Sequence, residues 1–143
     1  MGKNLKTAVM PIITPSMVGH GPLIYTRFQP IDRKVSSLTC LALLDTGASN
    51  SVIDTEFISQ CQVTSKGMGK SFTPHGDKIS QYFSLDVSMC GIAGEFIPEF
   101  KDVVVGTENL RVFAYKFIVG RDILSKCTFI FDGINGKYSL EWE

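Results

Sequence analysis

Short runs in which apolar and polar residues alternate recur along the chain and predict an all-β fold. In the clearest run, residues 82–89, Phe83, Leu85, Val87 and Met89 share one face of a strand that we expect to be half-buried. Further strands are predicted at residues 9–13, 22–28, 38–44, 96–105, 110–119, 127–132 and 137–142. Many short strands at regular spacing predict a β-barrel or a β-sandwich.

Two short helices and one glycine-rich segment interrupt this pattern. The first helix is predicted at residues 55–61, with Asp54 able to cap it, and the second at residues 120–126. Residues 65–80 contain three glycines and a proline and have few apolar side chains. This segment is predicted to be a mobile hairpin or loop.

The composition predicts one soluble globular domain. The chain has 143 residues, 44% of them hydrophobic, with 14 basic and 14 acidic side chains. Residues 1–8 are predicted to be a flexible N-terminus and residues 9–143 a single domain. The balanced charge argues against nucleic-acid or anionic-membrane partners. No apolar run approaches the roughly 18–20 residues that span a bilayer, and no signal pattern is present, so a cytoplasmic location is expected.

Cysteine and histidine spacing gives no support for metal or redox chemistry. Cys40, Cys61, Cys90 and Cys127 are far apart and contain no Cys-x-x-Cys pair, so buried free thiols are expected rather than disulfides. The two histidines lie in different loop-like segments, where solvated side chains are the simplest interpretation. We therefore expect no metal and no cofactor.

The run Leu-Leu-Asp-Thr-Gly-Ala-Ser at residues 43–49 contains the candidate chemistry. It ends a buried strand with Asp45 in a turn, and a carboxylate is costly to bury unless it is hydrogen-bonded. Gly47 would let backbone amides approach that carboxylate closely. Asp45 is therefore a candidate functional carboxylate, although an ordinary turn aspartate would fit the same tripeptide.

A second strand ends in the same way. Residues 117–122, Phe-Ile-Val-Gly-Arg-Asp, lie about 75 positions later and also end an apolar strand at a glycine-containing corner. Similarity between two halves of one chain predicts a pseudo-symmetric core in which the second corner lies beside the first and supports it.

In these two motifs the chain resembles the retropepsins, the single-domain aspartic proteases of retroviruses and their bacterial and cellular relatives. The resemblance rests on residues 43–49, on the glycine-rich segment 65–80 and on residues 118–124, in the same order and with similar separations. It covers about residues 20–140. The final helix and β-hairpin are more similar to the bacterial and cellular members than to the viral ones.

The resemblance implies a closed β-barrel-like acid protease fold with one or two short helices, in a protomer that forms a homodimer. Each protomer would give one Asp45 to a shared site. One ionised carboxylate would take a proton from water while its symmetry mate binds the scissile carbonyl. The residues implied to support the site are Thr46, Gly47, Ala48 and Arg121. Those implied to contact an extended peptide are Ser49, Phe72 and Gly76, the last two from a flap over residues 72–79.

Some side-chain roles have more than one interpretation. Viral members usually have an acidic residue at the position of Ser49, where it pairs with the arginine after the glycine. Arg121 must therefore find another partner, either Asp54 or a carboxylate across the dimer. Asp122 is expected to cap the last helix. Phe72 could line a substrate pocket or belong to the core, and His75 could touch substrate or lie in a surface loop.

Three functions are compatible with these observations. The leading hypothesis is a homodimeric aspartic endopeptidase. The alternative is a non-catalytic dimeric retropepsin-like domain that binds extended peptides, and a third is a monomeric β-barrel of unrelated function. The intact Asp-Thr-Gly favours the enzyme, because a binding module has no need of a buried carboxylate pair.

Overall fold

The computed structural model describes residues 6–10, 21–30, 36–61, 63, 65–73, 76–90 and 96–142. Its strands are β1 (Lys6–Met10), β2 (Leu23–Pro30), β3 (Leu38–Leu44), β4 (Val52–Asp54), β5 (Gly67–Thr73), β6 (Gly76–Cys90), β7 (Phe96–Glu108), β8 (Phe117–Val119), β9 (Thr128–Asp132) and β10 (Lys137–Trp142). The helices are α1 (Thr55–Ser59) and α2 (Arg121–Leu124).

Six of these strands form a closed barrel. Their order is β2–β3–β8–β4–β7–β6, and β6 also pairs with β2, which closes the ring. The pairs β3–β8 and β4–β7 are parallel and the others are antiparallel. A three-stranded sheet, β1–β10–β9, accompanies the barrel. The predicted all-β fold with a closed barrel and two short helices is confirmed.

The barrel interior is filled by fully buried apolar side chains, because alternate residues of every strand point inward. Phe28 of β2 and Phe117 of β8 contact each other with ring centroids 4.7 Å apart. Leu85, Val105 and Val119 complete the same cluster. This core holds β3 and β8 side by side, so it fixes where both strands end.

The polar face of β6 is buried as well, so the half-buried prediction was wrong. Phe83, Leu85, Val87 and Met89 point into the core as expected, but Ser84, Asp86 and Ser88 are also buried. Asp86 accepts a hydrogen bond from the backbone N–H of Asp102 (2.9 Å) and pairs with Lys101 (3.6 Å). Asp102 has a φ of 54° where the β6–β7 register shifts, which is typical of a β-bulge. This tertiary contact satisfies a carboxylate that alternation alone assigns to solvent.

The bounds of β1 and β8 differ from the predicted ones for tertiary reasons. β1 begins at Lys6, inside the segment predicted to be flexible, because Lys6 pairs with Trp142 of β10. The strand predicted at residues 110–119 is reduced to β8, since the Nζ of Lys116 donates hydrogen bonds to the carbonyls of Leu110, Arg111 and Phe113 (2.9–3.2 Å). These three bonds fold residues 110–116 into a loop.

The glycine-rich segment is a hairpin. β5 pairs with the first half of β6, from Gly67 opposite Tyr82 to Thr73 opposite Gly76. The second half of β6 belongs to the barrel, so one strand of 15 residues joins hairpin and barrel. Pro74, His75 and the side chain of Phe72 lie outside the described residues, so the interpretations of Phe72 and His75 stay open.

Three cysteines are unbridged thiols, as expected for free cysteines. Cys40, Cys61 and Cys127 are partly buried and form no disulfide. Burial raises the pKa of Cys40 to about 12 and that of Cys127 to about 11, so both thiols stay protonated at neutral pH. Within the described ranges, no helix is both long and apolar enough to cross a membrane.

Candidate active site

Asp45 stands at the point where β3 leaves the barrel. Its backbone N–H donates to the carbonyl of Val119 on β8 (3.0 Å), which ties the turn to the neighbouring strand. Its Oδ1 accepts a hydrogen bond from the N–H of Gly47 (2.8 Å). A Cβ on Gly47 would lie only 3.1 Å from that Oδ1, so glycine leaves room for the carboxylate. The carboxylate is thereby held at the surface of a cavity by the backbone of its own motif.

The second corner lies directly against the first, as the pseudo-symmetry predicted. β8 runs parallel to β3, with Leu44 opposite Val119. The N–H of Arg121 donates to the carbonyl of Ala48 (2.8 Å). A Cβ on Gly120 would lie 2.6 Å from the carbonyl carbon of Asn50, so only glycine permits this approach. Backbone contact therefore joins the two corners.

A buried serine completes the junction. The Oγ of Ser51 donates to the Oδ1 of Asp122 (2.7 Å) and accepts from the N–H of Gly120 (3.0 Å). The N–H of Ser51 donates to the Oδ2 of Asp122 (3.0 Å). Asp122 thus clamps the first corner, whereas the N-cap of α2 is Gly120 without a side-chain cap bond, so the predicted cap role was wrong. Sequence reasoning missed Ser51, whose only signal is a hydroxyl beside a buried strand.

Arg121 and Asp54 are each occupied, but not with each other. The Nη1 of Arg121 donates to the carbonyl of Thr46 (2.7 Å), which connects α2 to the first corner. Asp54 accepts from the N–H of Phe57 (3.0 Å) as the cap of α1, and from the N–H of Leu110 (2.7 Å). The expectation that Asp54 could pair with Arg121 was therefore wrong, because two backbone amides take up its carboxylate.

A cavity of about 800 Å³ lies beside this junction. Residues 47–52 and Asp45 form one wall, and the hairpin and the end of β7 form the other. Of the residues predicted to contact substrate, Ser49 is exposed on this cavity, whereas Gly76 begins β6 away from its lining. Thr46 and Arg121 are exposed and are not among the residues that line the cavity. The cavity therefore leaves open space next to the Asp45 carboxylate.

Tyr115 is a second residue that sequence reasoning missed. Burial raises its pKa, and the negative charge of Asp45 adds to that effect, so its phenol lies within electrostatic range of the carboxylate. Its ring stacks on Phe113, with centroids 5.0 Å apart and planes 9° apart. The pattern assigned both residues to a strand, so the aromatic pair could be found only from the folded loop.

The described residues include no group of three or more His, Cys, Asp or Glu side chains arranged to hold a metal ion.

Three comparisons with known proteins test which proteins this chain is similar to. The model of the retroviral aspartyl protease family matches residues 28–131, well over half of the chain. A retropepsin-like aspartic protease from Rickettsia conorii has a similar structure, with a TM-score of 0.56 and 12% identity over 99% of this chain and 95% of that one. The retroviral protease-like domain of Ddi1 from Leishmania major matches with a TM-score of 0.42 and 18% identity, over 78% of this chain and 82% of that one. A comparison with curated proteins gave no match.

At 12% identity, the bacterial neighbour supports the fold alone. The family match covers the Asp45 corner, the hairpin and the Gly120 corner together. We conclude that this chain belongs to the retroviral aspartyl protease family.

Proposed function

We propose that the chain is a homodimeric aspartic endopeptidase that hydrolyses peptide bonds with water activated by the Asp45 carboxylates of two protomers. One observation supports this most strongly. Asp45 faces a peptide-sized cavity, with its Oδ1 held by the N–H of Gly47 at 2.8 Å. A carboxylate fixed in this way is oriented before substrate arrives, which is what general acid–base catalysis requires.

The requirement for two protomers follows from the chemistry. Two carboxylates held close together cannot both ionise cheaply, so they share one proton, as in the aspartic-protease dyad. The ionised member accepts a proton from water and the protonated member donates a hydrogen bond to the scissile carbonyl. One chain contains one Asp-Thr-Gly motif and therefore half of such a pair. We expect a bell-shaped activity profile with its maximum at acidic pH.

The neighbouring residues would have supporting roles. Thr46 would brace the dyad, and Arg121 would hold the Thr46 carbonyl through its 2.7 Å hydrogen bond. Gly47, Ala48 and Ser49 would present backbone atoms to a peptide bound as an added strand. The β5–β6 hairpin would act as the flap that excludes water.

Cleavage of a denatured polypeptide at several acidic pH values tests the enzyme hypothesis. Wild-type protein should fragment the substrate and Asp45→Asn should leave it intact. Asp132→Asn, which removes a carboxylate from the β9–β10 turn, is the matched control and should behave as wild type. If wild-type protein and Asp45→Asn both leave the polypeptide intact but bind it, the chain is the non-catalytic binding module.

Mixing active and inactive protomers tests the shared site. With a ninefold excess of Asp45→Asn, random pairing leaves about one tenth of the wild-type chains in wild-type dimers, so activity should fall to about one tenth. Asp132→Asn in the same excess should not reduce it. Activity unaffected by Asp45→Asn would overturn the shared site, because each chain would then act alone.

A further inference from the structure

Two ion pairs on the β5–β6 hairpin differ in what they join. The pair between Lys70 and Asp77 (2.9 Å) connects β5 to β6 within the hairpin itself. The pair between Lys78 and Glu108 connects β6 to the end of β7, which belongs to the barrel. Of these two pairs, the second alone holds the hairpin to the body of the protein.

Both partners of that second pair line the Asp45 cavity. Lys78 and Ser80 are two residues apart on β6, so their side chains leave the same face of the strand. The Oγ of Ser80 lies 3.5 Å from the carbonyl of Thr107, the residue before Glu108. Ser80 and Thr107 also line the cavity. A peptide that filled this space would compete with the Lys78–Glu108 contact.

The two ends of the pair differ in how firmly they are held. Glu108 is anchored, since its backbone is paired with Asp54 of β4 and its carbonyl accepts a bond from the Oγ1 of Thr55 (3.2 Å). Lys78 lies on the hairpin, whose outer strand β5 pairs with β6 alone among the described strands. Opening of the pair would therefore move the hairpin and leave the barrel in place.

We propose that the Lys78–Glu108 ion pair is a latch that holds the β5–β6 hairpin over the Asp45 cavity, and that peptide must displace this pair to enter. The inference rests on the proposed function in that it takes the cavity to bind peptide. Lys78 and Glu108 are positioning residues, because they set how often the hairpin opens and take no part in the chemistry.

The Lys78–Glu108 ion pair is expected to be weak because both side chains are partly exposed. The side chains of Lys78 and Glu108 are 42% and 37% exposed, and water and salt screen a pair of this kind. Neutralising either partner should raise the fraction of open hairpin by about 1.5- to 5-fold. A bias of this size slows admission without blocking it.

Hydrogen exchange of the hairpin amides tests the latch without any need for proteolysis. In Lys78→Met and in Glu108→Gln, amides of β5 and the first half of β6 should exchange about 1.5- to 5-fold faster, with barrel amides unchanged. The double variant should be no faster than either single one, because both remove the same contact. The charge-reversed double variant, Lys78→Glu with Glu108→Lys, should restore protection.

Lys70→Met provides the matched control, since it removes a lysine of the same hairpin that has no contact with the barrel partner. Its effect should multiply with that of Glu108→Gln, whereas the effects of Lys78→Met and Glu108→Gln should not. If the effects of Lys78→Met and Glu108→Gln multiply as well, or if the exchange rates of barrel amides rise equally, the latch is refuted.

Kinetics on an uncharged peptide test the role in admission. KM should fall by the same factor as exchange rises in Lys78→Met and Glu108→Gln, with kcat unchanged. A fall in kcat at constant KM would overturn the proposal, since the pair would then act on the closed, substrate-bound state. If no peptide is cleaved at all, the proposed function fails, and the exchange experiment still decides whether the latch exists.

Discussion

Replacement of Ser51 by alanine should destabilise the protein more than the loss of a single side-chain oxygen suggests. Ser51 is fully buried, and its Oγ makes two hydrogen bonds, to Asp122 Oδ1 (2.7 Å) and from the N–H of Gly120 (3.0 Å). Alanine removes both and leaves a buried N–H without its acceptor. Asp122 would keep its bonds from the N–H groups of Ser51 and Ile123, so the carboxylate stays partly satisfied.

The magnitude follows from these two losses. An unsatisfied buried N–H costs about 1–3 kcal/mol, and a lost hydrogen bond to a charged group about 1.5–3 kcal/mol. The two share one oxygen atom and are not additive, so we expect a loss of about 2–4 kcal/mol in the free energy of unfolding. The change should also loosen the contact between the two corners and reduce the proposed peptidase activity, because small misplacements of reacting groups are costly.

Urea unfolding can measure this loss through the single tryptophan, Trp142, which is 3% exposed and should report unfolding by its fluorescence. Protein concentration must be equal in all samples, since the proposed dimer would be stabilised by mass action. Ser59→Ala is the matched control, because Ser59 is exposed and bonds only to its own helix, to the Glu56 carbonyl (2.8 Å). It should lose less than about 0.5 kcal/mol. A loss below about 1 kcal/mol for Ser51→Ala would refute the reasoning.

Three further predictions test other parts of the fold. Gly120→Ala should lower the free energy of unfolding by about 2–3 kcal/mol in the same urea assay, because its Cβ would meet backbone atoms at 2.6–3.0 Å. The control Gly133→Ala, whose nearest contact is a ring atom at 3.5 Å, should lower it by less than about 0.5 kcal/mol. Equal losses in the two variants would contradict the argument. Gly69→Ala places a Cβ 2.1 Å from the ring of Tyr82, so hairpin amides should exchange faster while barrel amides do not; unchanged hairpin exchange would show that the ring yields freely. Burial raises the pKa of Cys40 from 9.0 to about 12, so iodoacetamide should modify this thiol at least about 100-fold more slowly in folded than in unfolded protein at mildly alkaline pH. Because the unfolded chain loses this proton first, the free energy of unfolding should fall as pH rises from about 9 towards 12. Rapid labelling of the folded protein would contradict both statements.

Much of the fold could be predicted because alternation is a local property of strands. The hairpin of residues 65–80 and the Asp54 cap of α1 both follow from residue types at fixed spacing. β8 could not be predicted at its true length, because three bonds from the Lys116 side chain hold the preceding segment in a loop. The burial of Asp86 could not be predicted either, since its carboxylate is hydrogen-bonded by the backbone of a bulge in another strand.

The candidate site divides in the same way. The sequence by itself determined that Asp45 ends an apolar strand, that a similar corner follows at Gly120, and that one chain contains one motif, because these facts depend on residue order alone. Tertiary structure alone decided that Ser51 and Asp122 join the corners, that Tyr115 lies near Asp45 and that Lys78 reaches Glu108. The physical reason is range: strand alternation and turn chemistry act over a few residues, whereas each of these interactions links side chains 30 to 71 positions apart.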